Sequence, residues 1–309
     1  MANTAASIMK ENGKYSEKKN AKAMNDTTIS KKMNRSFGGN MAVFIFLLTL
    51  GILMMIPFVY AILQSFKPID EIFIFPPRFW INRPTTENYS MLFSLTSNLW
   101  VPFSRYLFNS VFKAIVNTFL QVVVASMAAY PLAKHNFPGK MFFFGLIQMA
   151  LLFTGDVTGT PQYIIIASLR MINTYWSLII PALASTFLLY LMRQNMTTIE
   201  DSLLEAARID GANEWSIFWK IIMPIMKPVW LTMVVFSFSG NWNSGEGPYI
   251  YNESLKGINT VLGSIASGGI ARAGVGAAIG VILIIPPILT FIVTQSNIME
   301  AMSNSGMKD

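Results

Sequence analysis

Long uncharged stretches alternate with polar segments along most of the chain. The first, "MAVFIFLLTLGILMMIPFVYAIL", runs from Met41 to Leu63. As a helix it would extend about 35 Å, enough to cross a hydrocarbon core roughly 30 Å thick. Further apolar stretches predict spans at about 106–133, 141–160, 175–192, 228–243 and 275–296. The pattern predicts an all-α integral membrane protein with about six transmembrane helices, and five is the main alternative.

The predicted spans differ in quality. The second contains Lys113, and the fifth is short and ends in "GNWNSGEGP". Gly155, Gly159 and Pro161 interrupt the region of the third and fourth spans, and glycine and proline weaken helices.

Composition supports a membrane protein and removes several kinds of chemistry. Of 309 residues 53% are hydrophobic and 13% are charged, whereas a soluble domain carries roughly 25% charged residues. The chain has no cysteine and one histidine, His135, in a short turn, so we predict a solvated loop residue there, no metal site and no catalytic residues. An ion-coupled secondary transporter or a membrane enzyme would need intramembrane carboxylates or histidines, and the predicted spans hold almost none.

Basic residues concentrate at the N-terminus. The net charge is +7, and eight lysines and arginines lie within residues 1–40. Beside an apolar span such a cluster indicates a cytoplasmic segment rather than a nucleic-acid site. We therefore predict a disordered basic tail over 1–40, a transmembrane domain over 41–309 and, with an even number of spans, both termini in the cytoplasm. The longest loop on the other side, 66–104, is either a structured cap or a surface for an extracytoplasmic partner.

A polar insertion at 193–227 separates two apolar spans. "TTIEDSLLEAARIDGA" opens with Thr197 and Glu200, spaced as in a capping box, and Gly211 is suited to end a helix. Ile199, Leu203, Ala206 and Ala207 would share its apolar face. A second helix can begin at Asn213 and end at Pro224, with an aromatic face formed by Trp215, Phe218, Trp219 and Ile222.

Two interpretations of this insertion are open on periodicity alone. An amphipathic loop helix could rest at the membrane interface. Alternatively, the insertion couples the spans to another protein: the small Ala206 and Ala207 allow close approach, and Glu205, Arg208 and Asp210 supply charged hydrogen bonds around the contact.

The insertion resembles the cytoplasmic signature of permease subunits from binding-protein-dependent ABC importers. That signature reads Glu-Ala-Ala, three residues, Gly, nine residues, Ile, one residue, Leu, Pro. The matching positions are Glu205, Ala206, Ala207, Gly211, Ile221, Met223 and Pro224, with Met in place of Leu. Other stretches, including "SFKPIDEIFIFPPRFW", "AAYPLAKHNFPGK" and "NTYWSLIIPALAS", resemble the carbohydrate-uptake branch, specifically its maltose-type second permease.

The resemblance implies a fold, a function and a set of partners. It implies the permease fold of type I ABC importers, multi-pass in the bacterial plasma (inner) membrane, and import of a sugar or oligosaccharide. It further implies an ATPase dimer that carries the ATP and Mg, a second, non-identical permease, and an extracytoplasmic binding protein. The residues implied to contact the ATPase are Glu205, Ala206, Ala207, Arg208, Asp210, Gly211 and Pro224. This chain has no phosphate-binding loop of its own.

Two departures from the family pattern leave the cargo open. After Asn241 and Trp242 the chain continues "NSGEGPYIYNESLKGIN", and it ends "NIMEAMSNSGMKD". Both differ from maltose-type relatives, so a non-sugar solute carried by the same machinery stays an alternative.

Polar residues within spans are the candidates for a solute pathway. They are costly in lipid and should face the bundle or water, where each either contacts cargo or bonds between helices. The candidates are Asn117, Gln121, Gln148, Tyr163, Asn241, Trp242 and Asn243. Gly276 and Gly280 form a small-residue pair in the last span, which predicts close packing either on the partner permease or within this subunit.

Overall fold

The structure, a computed structural model, describes residues 37–153 and 155–305, and these contain helices and turns but no strand. Residues 37–59 belong to one compact unit and residues from Tyr60 onward to a second, which holds the cap, the polar insertion and the cavities described below. Residues 1–36 of the predicted tail lie outside the described residues. Residues 37–40 are already helical, so the first helix begins before the predicted boundary.

The helices are α1 Phe37–Ser65, α2 Ile69–Ile72, α3 Glu87–Ser97, α4 Phe103–Lys134, α5 Lys140–Ala150, α6 Gly155–Ser168, α7 Trp176–Leu183, α8 Thr186–Met196, α9 Asp201–Ile209, α10 Glu214–Ile217, α11 Met223–Ile225, α12 Lys227–Asn243, α13 Ile258–Ala266 and α14 Ala273–Ser305. A π-helical turn, Phe218–Ile222, joins α10 to α11.

Within the described residues, four helical segments are long and apolar enough to cross a bilayer: Gly38–Ser65, Phe103–Lys134, Trp176–Met196 and Ile270–Ser296. A fifth is obtained if Glu214–Ile225 and Lys227–Asn243, which meet at 79°, count as one bent span. By length and composition, the described residues therefore offer four or five candidate spans, against the six predicted. The predicted third span forms α5 and α6 instead, and neither helix is long enough to cross alone.

Two apolar clusters are separated along α4 by polar residues. One cluster includes Val122, Ala129, Met192 and Met233, and extends into the polar insertion. The other includes Tyr106, Ala114, Trp242 and residues of α13 and α14. Asn117 and Gln121 lie on α4 between the two, near the middle of this 32-residue helix.

Residues 66–104 form an ordered cap. Asn88 on α3 donates from Nδ2 to the carbonyls of Ser65, at 2.9 Å, and Lys67, at 2.8 Å. Glu71, which is buried, accepts from the backbone N–H of Asn82 at 2.9 Å. Residues 66–104 therefore form a structured cap, the first of the two predicted alternatives. Contact of this loop with an extracytoplasmic partner stays a prediction.

The glycines of α14 have different surroundings. A Cβ on Gly274 would lie 2.2 Å from Asn88 Oδ1, so only glycine permits this approach of α14 to α3. A Cβ on Gly276 would make an ordinary contact, 3.7 Å from Ala266 Cβ, and one on Gly280 would meet nothing within 4 Å. Close packing within the subunit is therefore at Gly274, and the Gly280 position is open.

Candidate functional site: the polar insertion and the polar layer

The first helix of the insertion, α9, ends in a Schellman motif. Gly211 has φ +83°, the left-handed conformation that the sequence predicted for it. The N–H of Ala212 donates to the carbonyl of Ala207 and the N–H of Gly211 to that of Arg208, both at 3.0 Å. These bonds satisfy carbonyls at the helix end and set the angle at which the chain leaves it.

The start of α9 differs from the capping-box prediction. Glu200 is the N-cap residue, and no side chain caps the helix. Thr197 lies in the preceding turn, where its hydroxyl donates to the carbonyl of Gln194 at 2.6 Å. The capping box is wrong because α8 extends to Met196, which places Thr197 at the end of that helix.

The faces of α9 also differ from the prediction. Leu204 and Ala207 are buried in the apolar cluster, whereas Leu203 and Ala206 are exposed. Ala207 therefore packs inward, and its small size serves the fold rather than the approach of another protein. The outward face carries Glu205, Ala206 and Ile209, and Ile209 is 87% exposed. Ile209 was not predicted as part of this surface, although a large apolar residue beside Glu205 and Ala206 is a visible signal for a contact surface.

The outward surface of the insertion continues past α9. Arg208, Asp210 and Gly211 are exposed beside the outward face, and Pro224 is exposed near the bend before α12. The predicted ATPase-contact residues other than Ala207 are thus exposed.

The second helix begins where predicted. The Asn213 side chain accepts from the N–H of Ser216 at 2.8 Å and caps α10. Phe218 and Ile222 are buried, while Trp215 and Trp219 keep 60% and 38% of their surface exposed. The aromatic face is therefore split, with the tryptophans outward and the phenylalanine packed on Tyr130 of α4, ring centroids 5.8 Å apart.

Side chains at the end of α4 hold both helices of the insertion. Lys134 donates to Asp201 Oδ1 at 2.7 Å and to the carbonyl of Ile199. Tyr130 donates to Glu214 Oε2, and Arg208 Nε donates to Glu214 Oε1 at 2.8 Å. The hydrogen bond from Lys134 holds the pKa of Asp201 below its usual value, and that from Arg208 does the same for Glu214. We call Tyr130, Lys134, Asp201, Arg208 and Glu214 the α4 clamp.

His135 is more enclosed than the sequence predicted. Its ring lies edge-on to Tyr130, with centroids 5.0 Å apart, and its Nε2 lies 3.4 Å from Glu214 Oε2. The residue packs beside the clamp rather than standing free in solvent.

Loss of one clamp bond should weaken coupling. Lys134→Met removes the bonds to α9. Because Asp201 is exposed to water, which screens the ion pair, we expect a moderate effect: transport per ATP hydrolysed should fall about twofold to fivefold. Asp201→Asn should cause a similar loss, and the double variant should be no worse than either single one. Vesicle uptake measured together with ATP hydrolysis checks this. Lys220→Met, an exposed lysine of the π-helical turn, is the control; equal behaviour of Lys134→Met and this control would contradict the prediction.

Polar side chains join three helices at the centre of the bundle. Gln121 Nε2 donates to the carbonyl of Ala182 at 2.6 Å, and its Oε1 accepts from Asn241 Nδ2 at 3.0 Å and from Ser237 Oγ. Asn117 Nδ2 donates to the carbonyl of Leu178 at 3.1 Å and to Asn241 Oδ1 at 3.3 Å. Ala182 lies in the last turn of α7, before a break at 184–185, so its carbonyl lacks a helical partner. We call Asn117, Gln121, Ser237 and Asn241 the polar layer.

Two cavities flank the polar layer. One, of about 270 Å³, is lined by residues that include Gln121, Ser185 and Phe236. The other, of about 260 Å³, is lined by residues that include Asn117 and Tyr249. Gly240 and Asn241 belong to both linings, so the two spaces meet at α12.

The remaining pathway candidates do not join the layer. Gln148 and Asn243 are exposed, and Trp242 is buried with its Nε1 donating to the carbonyl of Leu283 at 3.0 Å. The Tyr163 hydroxyl lies 3.3 Å from that of Tyr251, and its ring stacks on Tyr249 at 6.2 Å.

A buried ion pair lies next to the second cavity and was not predicted. Lys113 Nζ donates to Glu246 Oε1 at 3.2 Å and to the carbonyl of Ser244 at 2.5 Å, with side-chain exposures of 6% and 3% for Lys113 and Glu246. Glu246 Oε2 also accepts from Thr260 Oγ1. A Cβ on Gly257 would lie 2.5 Å from Glu246 Oε1 and 2.6 Å from Ser110 Oγ, so a larger residue there would displace these side chains. A lysine within a predicted span, Lys113, was a signal in the sequence that a buried acid should lie nearby. Its partner Glu246 could not be identified, because it lies in a segment without helical periodicity.

Comparison with known proteins assigns the family. Protein YtcP of Bacillus subtilis (strain 168), a polygalacturonan/rhamnogalacturonan transport system permease, is 30% identical over 227 residues, which cover 72% of this chain and 75% of that protein. The chain belongs to the permease subunits of carbohydrate-uptake ABC transport systems. This permease is also 29% identical over 265 residues to the arabinooligosaccharides transport system permease AraQ of Halalkalibacterium halodurans, with coverage of 82% and 90%.

Further matches agree with this family. The sn-glycerol-3-phosphate transport system permease UgpE of Yersinia enterocolitica is 32% identical over 200 residues, 63% of this permease and 70% of that protein. A crystal structure of a bacterial ABC transporter involved in the import of the acidic polysaccharide alginate matches with TM-score 0.66 and 21% identity, covering 85% of this permease and 98% of that chain. The predicted importer-permease fold is thus confirmed, and the permease is a multi-pass membrane protein. No protein-family model matches the sequence.

Proposed function

We propose that this permease moves a sugar or oligosaccharide across the bacterial plasma membrane as part of an ATP-driven importer. The observation that carries the proposal is its similarity to AraQ over 82% of its length, since that relative transports arabinooligosaccharides. The polar layer and its two cavities support the proposal, because sugar hydroxyls require hydrogen-bonding groups placed away from lipid.

Other subunits supply the energy and the cargo. An ATPase dimer binds ATP and Mg and docks on the outward face of α9, where Glu205, Ala206 and Ile209 are exposed. A second, non-identical permease completes the pathway, and an extracytoplasmic binding protein delivers the solute. We expect α5 and α6 together to cross the membrane once, so that the insertion and both termini lie in the cytoplasm, with the basic residues of the tail on the inner side.

Force from the ATPase has a short route to the spans. The outward face of α9 meets the ATPase, while Leu204 and Ala207 pack into the apolar cluster on the inward face. The α4 clamp then joins α9 and α10 to the end of α4, the helix that carries Asn117 and Gln121. A displacement of the insertion would move α4 and the polar layer with it.

The test is ATP-dependent uptake by the complete importer. We expect vesicles with both permeases, the ATPase dimer and the binding protein to accumulate a labelled arabinooligosaccharide or another oligosaccharide, and to lose uptake when the binding protein or ATP is omitted. Accumulation that persists without ATP but follows an ion gradient would refute the proposal.

A second candidate is a phosphorylated polyol. UgpE, at 32% identity, favours it because that relative transports sn-glycerol-3-phosphate. The same vesicles separate the two candidates, since labelled sn-glycerol-3-phosphate and a labelled oligosaccharide are offered in turn.

A further inference from the structure

The 260 Å³ cavity has the chemistry of a sugar subsite. Ligand pockets occupy roughly 300–1,000 Å³, so this space suits one sugar ring rather than a chain. The side chains in its wall include amides, hydroxyls, one lysine and one aromatic ring. The residues that carry these groups include Lys113, Asn117, Gln162, Ser177, Asn241 and Tyr249. Amides and hydroxyls hydrogen-bond to sugar hydroxyls, and an aromatic ring offers a face to the apolar side of a sugar.

The lysine in this wall is already neutralised. Glu246 lies 3.2 Å from Lys113 Nζ and is itself buried, with 3% of its side chain exposed. Ser244 accepts a second hydrogen bond from Nζ. An ammonium group has three N–H donors, so one remains for a hydroxyl oxygen in the cavity.

We infer that this cavity holds one uncharged sugar unit of the passing cargo, and that Glu246 sets this preference by neutralising Lys113. The inference rests on the proposed function and names the class of its cargo. Glu246, just behind the lysine, offsets most of the attraction that Lys113 would exert on a uronate carboxylate or a phosphate, whereas the cost of removing water from either anion remains. A hydroxyl meets no such penalty.

Removing the acid alone should reverse the preference. In the complete importer, Glu246→Gln leaves Lys113 as an unpaired cation in the wall, and such a cation favours an anion. We expect the ratio of uronate-terminated to neutral oligosaccharide uptake to rise about tenfold over wild type. The two oligosaccharides have equal length and share one binding protein, so comparing variant with wild type cancels that protein's own selectivity.

Two further variants separate charge from structure. Lys113→Met with Glu246→Gln removes both charges and should restore a preference for neutral cargo. Glu246→Asp keeps the negative charge and should stay close to wild type. Glu253→Gln, an exposed acid paired with Lys256 at 2.5 Å, is the matched control and should leave the ratio unchanged.

The possible outcomes distinguish failure of the neutral-sugar subsite from failure of the proposed transport function. If wild type takes up neutral sugar and Glu246→Gln changes both cargoes by the same factor, or if wild type itself prefers the uronate, the inference is overturned and the proposed function stands. If wild type takes up neither oligosaccharide but does take up sn-glycerol-3-phosphate, the proposed sugar function fails as well. Should Glu246→Gln be absent from the membrane, the double variant against the Glu253→Gln control decides: a shift toward the uronate there overturns the inference, and a retained neutral preference supports it.

Discussion

Glu205→Lys or Gly211→Asp should abolish ATP-driven uptake while the permease remains in the membrane. Glu205 is exposed on the outward face of α9, so the reversed charge alters the docking surface without disturbing the buried cluster. Gly211 has φ +83° at the end of that face, and a side chain there adds roughly 1–2 kcal/mol of backbone strain together with a new carboxylate at the tip. Because a central contact contributes about 2 kcal/mol or more, we expect at least a thirtyfold loss of uptake.

Uptake into vesicles and co-purification of the ATPase measure this effect. Glu87→Lys, the same charge reversal at an exposed position on α3, is the matched control. This variant should retain both uptake and co-purification of the ATPase. Full transport by Glu205→Lys, with wild-type amounts of bound ATPase, would show that the outward face of α9 does not dock the ATPase.

Gly274→Val should destabilise the folded permease, whereas Gly280→Val should not. A Cβ at Gly274 would lie 2.2 Å from Asn88 Oδ1, while one at Gly280 meets nothing within 4 Å. Overpacking costs about 1–3 kcal/mol, and displacing Asn88 weakens its bonds to Ser65 and Lys67 at about 1 kcal/mol each. We expect the free energy of unfolding to fall by about 3 kcal/mol for Gly274→Val and by less than about 0.5 kcal/mol for Gly280→Val.

Unfolding of the purified permease in mixed detergent micelles measures the difference. Both variants make the same substitution in one helix, so the change in helix propensity cancels. Equal losses at the two positions would contradict the close approach of α14 to α3. Assembly with the second permease is a separate readout for Gly280→Val: lower recovery of the complex would place Gly280 at that interface, and normal recovery would assign its face elsewhere.

Local sequence determined much of the fold and of the insertion. The long apolar runs of α1, α4 and α14 follow from composition, because a helix is the structure that satisfies its own backbone in lipid. The glycine at 211 and the asparagine at 213 specify a helix end and a helix start, since one permits positive φ and the other caps N–H groups. These signals act within a few residues, so they can be read without knowledge of the rest of the chain.

Other predictions failed because they depended on neighbours. Periodicity placed Ala207 on an approachable face, but packing against Leu204 and α4 turned it inward and left Ile209 outside. The third apolar stretch had enough hydrophobicity for a span, yet it divides into α5, which ends at Ala150, and α6, which begins at Gly155 and contains Gly159 and Pro161. Hydropathy is averaged over a window of residues, so it does not show where within that window a helix ends.

Only the tertiary structure decided which distant polar residues meet. Lys113 and Glu246 are 133 positions apart, and Asn117, Gln121 and Asn241 come together because α4 packs against both α12 and α7. Hydrophobic periodicity determines that a residue faces the interior, since burial is a property of one helix and its surroundings. The partner that a buried polar group finds there depends on the angle and register between helices, and those are set by the packing of the whole bundle.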